Sequence, residues 1–460
     1  MSDILAGDLA RMESLARAQG LDFYPVDFEF APASFMLEIS VYGLPVRMPH
    51  WSFGVRYIHQ LIRQHMGHSK VFEVMFPGKP CHAYLVESNS PAENVLVIAH
   101  VLGHVDFAKN NQLFSRFHEM TGGNIVQHAA QNAHRIEAAR REFGTDRLEA
   151  VLDAALALEP HIDTEQALHR SRYPIRPQES FADHSDGDFR RRFQNLPGGA
   201  VSTTTPKQPG RLPIPPHPEQ DLLWFIAQYG EELEDWERDI FFAVREESFY
   251  FYPVFACQIM NEGWASYWHA RLLREADFLS QELYLSAVKA HSYVVSPFAT
   301  GEQTSLAINP YHLGFCMWEH IIEKRSMAAA RDIVREDDDF GFIRNYLDRD
   351  LAEELGLFVH EDKDDGEIRV AARDVNQLRE AILAPKFNYG SPRIAVSELG
   401  PDGSLTLVHD HRSDGRGLDL VRGQKVVDYV QRIWRRPVRL LTADGEGRGI
   451  RLSATGTSES

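Results

Sequence analysis

"SPAENVLVIAHVLGHVDFAKNN" runs from Ser90 to Asn111, and its reading sets the class of the fold. Ser90 is a favoured helix N-cap. Pro91 suits the first helical position, where a missing N–H costs nothing, and Glu93 puts an acid in the first turn. One helix is therefore expected from Pro91 onward. On it His100 and His104 are four apart, one turn apart on one face, within reach of a single metal ion. Phe107 and Asn111 continue that face. The zinc-peptidase motif H-E-x-x-H carries its general base at the second position. Here that position is Val101, so the two-ligand scaffold stands without its usual base. The plainer reading is two packed histidines satisfied by neighbouring carboxylates.

Working outward, helical periodicity recurs through the first ~345 residues. It marks Met1 to Gly20, Trp51 to Gly67, Asn124 to Phe143 and Thr145 to Leu158. After a break it returns over Asp221 to Gln228, Glu234 to Tyr250, Val254 to Leu273, Phe278 to His291, Asn309 to Glu323 and Met327 to Glu336. Two short strands are expected at Phe72 to Met75 and His82 to Glu87. Tyr24 to Pro45 reads as irregular. Residues 171–218, rich in Pro, Gly, Ser, Thr and Arg, read as a long loop. Beyond residue 345 the pattern changes to short alternating runs such as EIRVAARD, PRIAVSELG, GSLTLVHDH and PVRLLTAD. Helices over Val375 to Leu383 and Leu418 to Trp434 interrupt them. The expected architecture is a mainly α large N-terminal domain (1–345), with room for a zincin-like helical site, plus a small α+β C-terminal domain (346–450) and a disordered tail (451–460). No internal repeat is visible.

Composition narrows the function classes. The chain has 460 residues, 43% hydrophobic and 25% charged, as for a soluble globular protein. No apolar run approaches the ~20 residues of a membrane span. The acidic, amphipathic start lacks the layout of a signal peptide, so a cytoplasmic location is expected. A net charge of −18 argues against non-specific nucleic-acid binding. Cys81, Cys257 and Cys316 form no CxxC pair, which leaves neither a disulfide framework nor a four-cysteine zinc site. Walker A, Rossmann glycine and G-x-S-x-G motifs are missing, which argues against the commonest nucleotide, dinucleotide and serine-hydrolase sites.

A second stretch, QIMNEGWASYWHARLL (Gln258 to Leu273), sets Glu262 among Trp264, Tyr267 and Trp268. A carboxylate in such company is costly to bury without a partner. A metal ion, an arginine or a histidine would each serve. Glu262, Ser266, His269 and Leu273 share one helical face. N-E-G-x-A-x-Y resembles the third-ligand helix of gluzincin metallopeptidases, where the Glu of N-E-G-x-A binds zinc. Here the interval from His104 to Glu262 is far longer than the few helical turns those peptidases use. Together His100, His104 and Glu262 form an N,N,O set suited to zinc, with manganese or iron as alternatives.

Other groups carry weaker signals. His134 and Glu137 share a helix face, in the reverse of the Glu-x-x-His order of di-metal bundles; an exposed Glu–Arg network is the plainer reading. With Val101 in the motif position, Glu246 or Asp106 is expected to handle the proton. His59, His65 and His68 lack coherent spacing and read as surface residues. His409 and His411 would face one way on a strand, as a polar patch.

HVLGHVDFAKNN, MNEGWASYWH, INPYHLGFCMWE and the C-terminal HRSDGRGLDLVRGQKVVDYVQRIWRRPVRLLT together resemble the stage V sporulation protein R (SpoVR) family, in order along nearly the whole chain. One departure is Ala108, where the family has an aromatic residue. The resemblance implies two domains and a bacterial stress or developmental role of the kind that builds spore cortex in sporulating species. It also implies partners: a serine-protein kinase and a von Willebrand-type protein. It supplies no reaction. Two functions follow: a metal-dependent hydrolase of peptide or amide bonds, or a non-enzymatic regulator or assembly factor holding a structural metal or buried His/Glu network.

Overall fold

A computed structural model describes residues 3–44, 47–65, 73–120, 124–165, 213–295, 309–358, 360–362, 368–370, 374–414, 417–444, 447–454 and 456–459. Most of the expected Pro-rich loop, His68 and the end of the expected Trp51–Gly67 helix lie outside them.

The chain divides into two compact units, each built from two segments. The larger comprises Met1–Ile162 and Glu234–Ser391, the smaller Asp163–Leu233 and Pro392–Ser460. The first is mainly α and the second is a small α+β unit. The division after Ser391 lies beyond the residue-345 break expected from composition, because short helices continue the α unit past that point.

In the larger unit, α1 (Asp3–Ala18), β1 (Val26–Ala31), α2 (Ala33–Tyr42), α3 (Trp51–His65), β2 (Glu73–Phe76) and β3 (Cys81–Val86) come first. They are followed by α4 (Pro91–Asn110), α5 (Gln112–Met120), α6 (Ile125–Phe143) and α7 (Thr145–Ala157). The smaller unit then contributes α8 (Leu222–Tyr229). The larger resumes with α9 (Asp235–Ala256), α10 (Gln258–Glu275), α11 (Gln281–Val294), α12 (Pro310–Lys324), α13 (Met327–Glu336), α14 (Asp339–Tyr346), α15 (Arg349–Glu354), β4 (His360–Asp362), β5 (Ile368–Val370) and α16 (Val375–Leu383).

The capping at α4 is as the sequence reading required: Ser90 Oγ accepts from the Glu93 N–H, and Glu93 answers at the Ser90 N–H, 2.7 Å away. From Asn94 to Ala108 every residue of α4 is buried, so it is a core helix packed on all sides. Two close approaches set its surroundings. A Cβ added to Gly103 would stand 2.7 Å from Ala265 Cα, so α4 and α10 meet at their backbones. One added to Gly263 would stand 2.2 Å from the Gly314 carbonyl carbon, so α10 and α12 do the same. Trp264, Trp268 and Trp318 fill the core beside these contacts and are fully buried.

Tyr24 to Pro45, expected to be irregular, holds β1 and α2. Its strand is parallel to β3, Val26 opposite Cys81, and β2 pairs antiparallel on the other side, Glu73 opposite Leu85. The periodic pattern was hidden because β1 is half-buried and only six residues long. The expected break between Tyr250 and Val254 is also displaced. Pro253 lies inside α9, and the helices part at Cys257. The Asp339 carboxylate takes the N–H groups of Ile259 and Met260 at 3.0 and 2.9 Å, starting α10 with a side-chain cap from a distant helix.

The smaller unit has a five-stranded sheet in the order β10-β9-β8-β7-β6: β6 (Ile394–Leu399), β7 (Leu405–His409), β8 (Val438–Ala443), β9 (Gly449–Ser453) and β10 (Gly456–Glu459). Only β7 and β8 run parallel. Between them the chain passes through α17 (His411–Asp414) and α18 (Leu420–Trp434), the helical crossover a parallel pair needs. Val427, Val430, Ile433 and Trp434 of α18 are buried. The expected disordered tail instead supplies β10 and the end of β9, since Leu452 pairs with Leu440 and is buried.

Candidate metal centre

His100 and His104 project from α4, and Glu262 from α10. Glu262 Oε2 lies 3.6 Å from His100 Nε2 and 3.4 Å from His104 Nε2. One donor atom from each of the three residues falls within 4.8 Å of the others. The close backbone approach at Gly103 and Ala265 is what lets side chains from two helices converge so tightly.

The far side of each imidazole is held. His104 Nδ1 meets Asn261 Oδ1 at 2.9 Å, and His100 Nδ1 meets His269 Nδ1 at 2.9 Å. His269 Nε2 in turn bonds His291 Nδ1. An acceptor at Asn261 fixes the N–H of His104 on Nδ1 and leaves the Nε2 lone pair free, the arrangement found behind metal-ligating histidines. Tyr311, on α12, stacks on His100 with ring centroids 6.1 Å apart, and the nearby Glu262, together with burial, pushes its hydroxyl well above the usual range. Glu73, on β2, brings Oε1 to 3.9 Å from His100 Nε2.

The electrostatics follow from burial and mutual proximity. Burial, helped by His104, pushes His100 down to about 4. Burial also opposes charge on His104, but Glu262 and Asn261 outweigh it and the net shift is upward. Burial resists ionisation of Glu262, yet the two histidines hold it well below the usual carboxylate range. Burial and the neighbouring Glu262 raise Glu73 to about 7, with His104 opposing. His269 is driven well down by burial and by His100 and His291.

The donor set fits a metal ion. Two donors ~2.0–2.1 Å from a zinc ion at the tetrahedral angle stand roughly 3.4 Å apart. That matches both His–Glu separations, which are long for hydrogen bonds. Glu262 Oε2 is buried without a hydrogen-bond partner, a state that costs free energy unless something fills it.

The remaining expected residues fall elsewhere. Asp106 is two positions from His104, on another face of α4. It accepts from the Asp22 N–H at 2.7 Å and from Trp264 Nε1 at 2.8 Å, so it ties elements together in the core. Glu246 pairs with His128 on α6 at 2.7 Å. Neither carboxylate expected to handle the proton is placed with the ligands. His134 is exposed; Glu137 clamps Arg140 and Arg141 at 2.7 and 3.1 Å, the surface network. His269 stands behind His100 as a support. The sequence points to the Asn261-Glu262 pair as an inner-site element but gives no sign of Glu73 or Tyr311; Tyr311 lies inside the quoted motif INPYHLGFCMWE.

The SpoVR like protein family model matches residues 3–389. The chain belongs to this family. It is 28% identical over 494 aligned residues to the "Uncharacterized protein YcgB" of Escherichia coli (strain K12), covering 97% of this chain and 93% of that protein. No solved structure matches. The SpoVR match takes in every residue of the cluster, from Glu73 to Tyr311. Among the described residues, no helix is long and apolar enough to cross a membrane.

Proposed function

We propose that this SpoVR protein is a metal-dependent hydrolase acting on peptide or amide bonds, with His100, His104 and Glu262 as ligands and zinc as the metal. One observation carries the reading. Two imidazoles held from behind at Nδ1 aim their Nε2 atoms at a single buried carboxylate oxygen that has no hydrogen-bond partner. When bound, the ion would polarise a carbonyl and lower the pKa of a water in its open position. The chain's own residues do the rest. Asn261 holds the tautomer of His104, His269 orients His100, and Tyr311 stacks on His100. Solvent reaches the cluster along Glu73 and Glu262, whose side chains are 19% and 21% exposed.

Metal analysis of the purified full chain is the test. One equivalent of zinc, iron or manganese is expected in the wild type. His100→Ala, His104→Ala and Glu262→Gln should each lose it. A wild type free of metal that also takes none up on dialysis would overturn the reading.

Val101, fully buried where the motif carries its base, favours a second reading. There the metal is structural and the protein is a regulator or assembly factor. The family resemblance supports the same setting for either: a cytoplasmic stress or developmental role alongside a serine-protein kinase and a von Willebrand-type partner. Co-purification from cells, with the ligand variants beside the wild type, tests that setting.

A further inference from the structure

The motif position that normally supplies the base is filled by Val101, and the base must then come from outside α4. Val101 is fully buried, as are its neighbours Val105 and Leu102. Asp106 is bound by Asp22 and Trp264, and Glu246 by His128. A different carboxylate stands beside His100. Glu73 comes from the small sheet, on a wall of the site that neither ligand helix forms. Its Oε1 approaches His100 Nε2 to 3.9 Å, the same nitrogen that faces Glu262. That distance is too long for a hydrogen bond to His100. The Glu73 carboxylate therefore faces the ligand nitrogen without being tied to it.

We infer that Glu73 is a catalytic residue: it receives the proton of the attacking water, in the place of the glutamate the motif lacks. The inference rests on the hydrolase reading. In the step, the water oxygen bonds to the carbonyl carbon of an amide, the C=O π pair moves onto the carbonyl oxygen, and one water proton passes to Glu73. That pair then re-forms the carbonyl as the carbon–nitrogen bond breaks, the bond's electrons leave with nitrogen, and Glu73 returns the proton there. The products are a carboxylic acid, ionised in water, and an amine. No oxidant or further reactant is needed. The strand supports this geometry: β2 is pinned to β3 with Glu73 opposite Leu85, so the carboxylate is carried by a paired backbone.

The experiment compares full-length wild type, Glu73→Gln and His100→Ala. Each is dialysed against zinc, its zinc content measured, and its affinity for acetohydroxamate measured by calorimetry. A hydroxamate chelates an open metal position and gives its proton to a neighbouring carboxylate, so it reports on both groups. Glu73→Gln should hold as much zinc as the wild type and bind acetohydroxamate at least tenfold more weakly. His100→Ala should lose both. If Glu73→Gln loses zinc as His100→Ala does, Glu73 is a ligand and the inference fails. It fails equally if Glu73→Gln binds both as the wild type does. A wild type that takes up no zinc brings down the hydrolase reading itself, and this inference with it. Should Glu73→Gln not fold, Glu73→Asp replaces it: its carboxylate is withdrawn by one methylene, and equal zinc with weaker hydroxamate is again the expected result.

Discussion

Asn261 makes the most searching test of the metal centre, because it touches no substrate and donates nothing to the ion. Its Oδ1 sits 2.9 Å from His104 Nδ1, and both groups are buried. Asn261→Ala removes that acceptor. The His104 N–H is then left unpaired in the core or migrates to Nε2, where it blocks the lone pair aimed at Glu262. Losing such an outer partner lowers metal affinity ~10–100-fold in comparable sites, about 1.4–2.7 kcal/mol. Asn261→Asp keeps an acceptor at the same position and should hold affinity near the wild-type level. Competition for zinc against a chromophoric chelator gives the three dissociation constants directly, and Glu246→Gln, remote from the cluster, is the control. Zinc affinity in Asn261→Ala within twofold of the wild type would refute the reasoning. So would an equal loss in Asn261→Asp, which would trace the effect to disturbed packing.

The same structure fixes three further outcomes. Metal binding requires His104 to shed its proton, and its affinity is expected to fall as pH drops through the raised His104 value. His100, already neutral down to about 4, adds no second proton; the slope should therefore approach one decade per pH unit, and two decades would contradict the assignment. Gly263→Ala forces a methyl into the Gly314 backbone and should cost about 1–3 kcal/mol or more in urea unfolding, with an unchanged midpoint counting against the close contact. Asp339→Ala strips Lys386, 2.9 Å away, of its buried partner and uncaps α10. A loss of about 3–5 kcal/mol is expected, and a loss below ~1 kcal/mol would mean that Lys386 escapes to solvent.

The ligands were legible because their signals are local. An i, i+4 histidine pair behind a capped helix start needs no tertiary knowledge, and a glutamate among tryptophans announces a buried partner. Asp106 could have been set aside on the same grounds, since two positions along a helix turn a side chain well away from His104. Glu73 was not legible. It lies in a four-residue strand, and its approach to His100 depends on how β2 pairs with β3, a long-range fact with no local trace. The mainly α unit and the small α+β unit were both readable from periodicity. The division between them was not: the smaller unit takes its first segment from 163–233, far from its sheet in sequence.

The contact between Gly263 and Gly314 involves no side chains. Contacts between side chains slacken on warming as rotamers exchange, but two bare backbones have no rotamers to exchange. The register of α10 against α12, and with it the placing of Glu262 beside Tyr311, is then all or nothing. On heating, the cluster should keep its spacing until the helices separate as whole bodies, and lose it in one cooperative event.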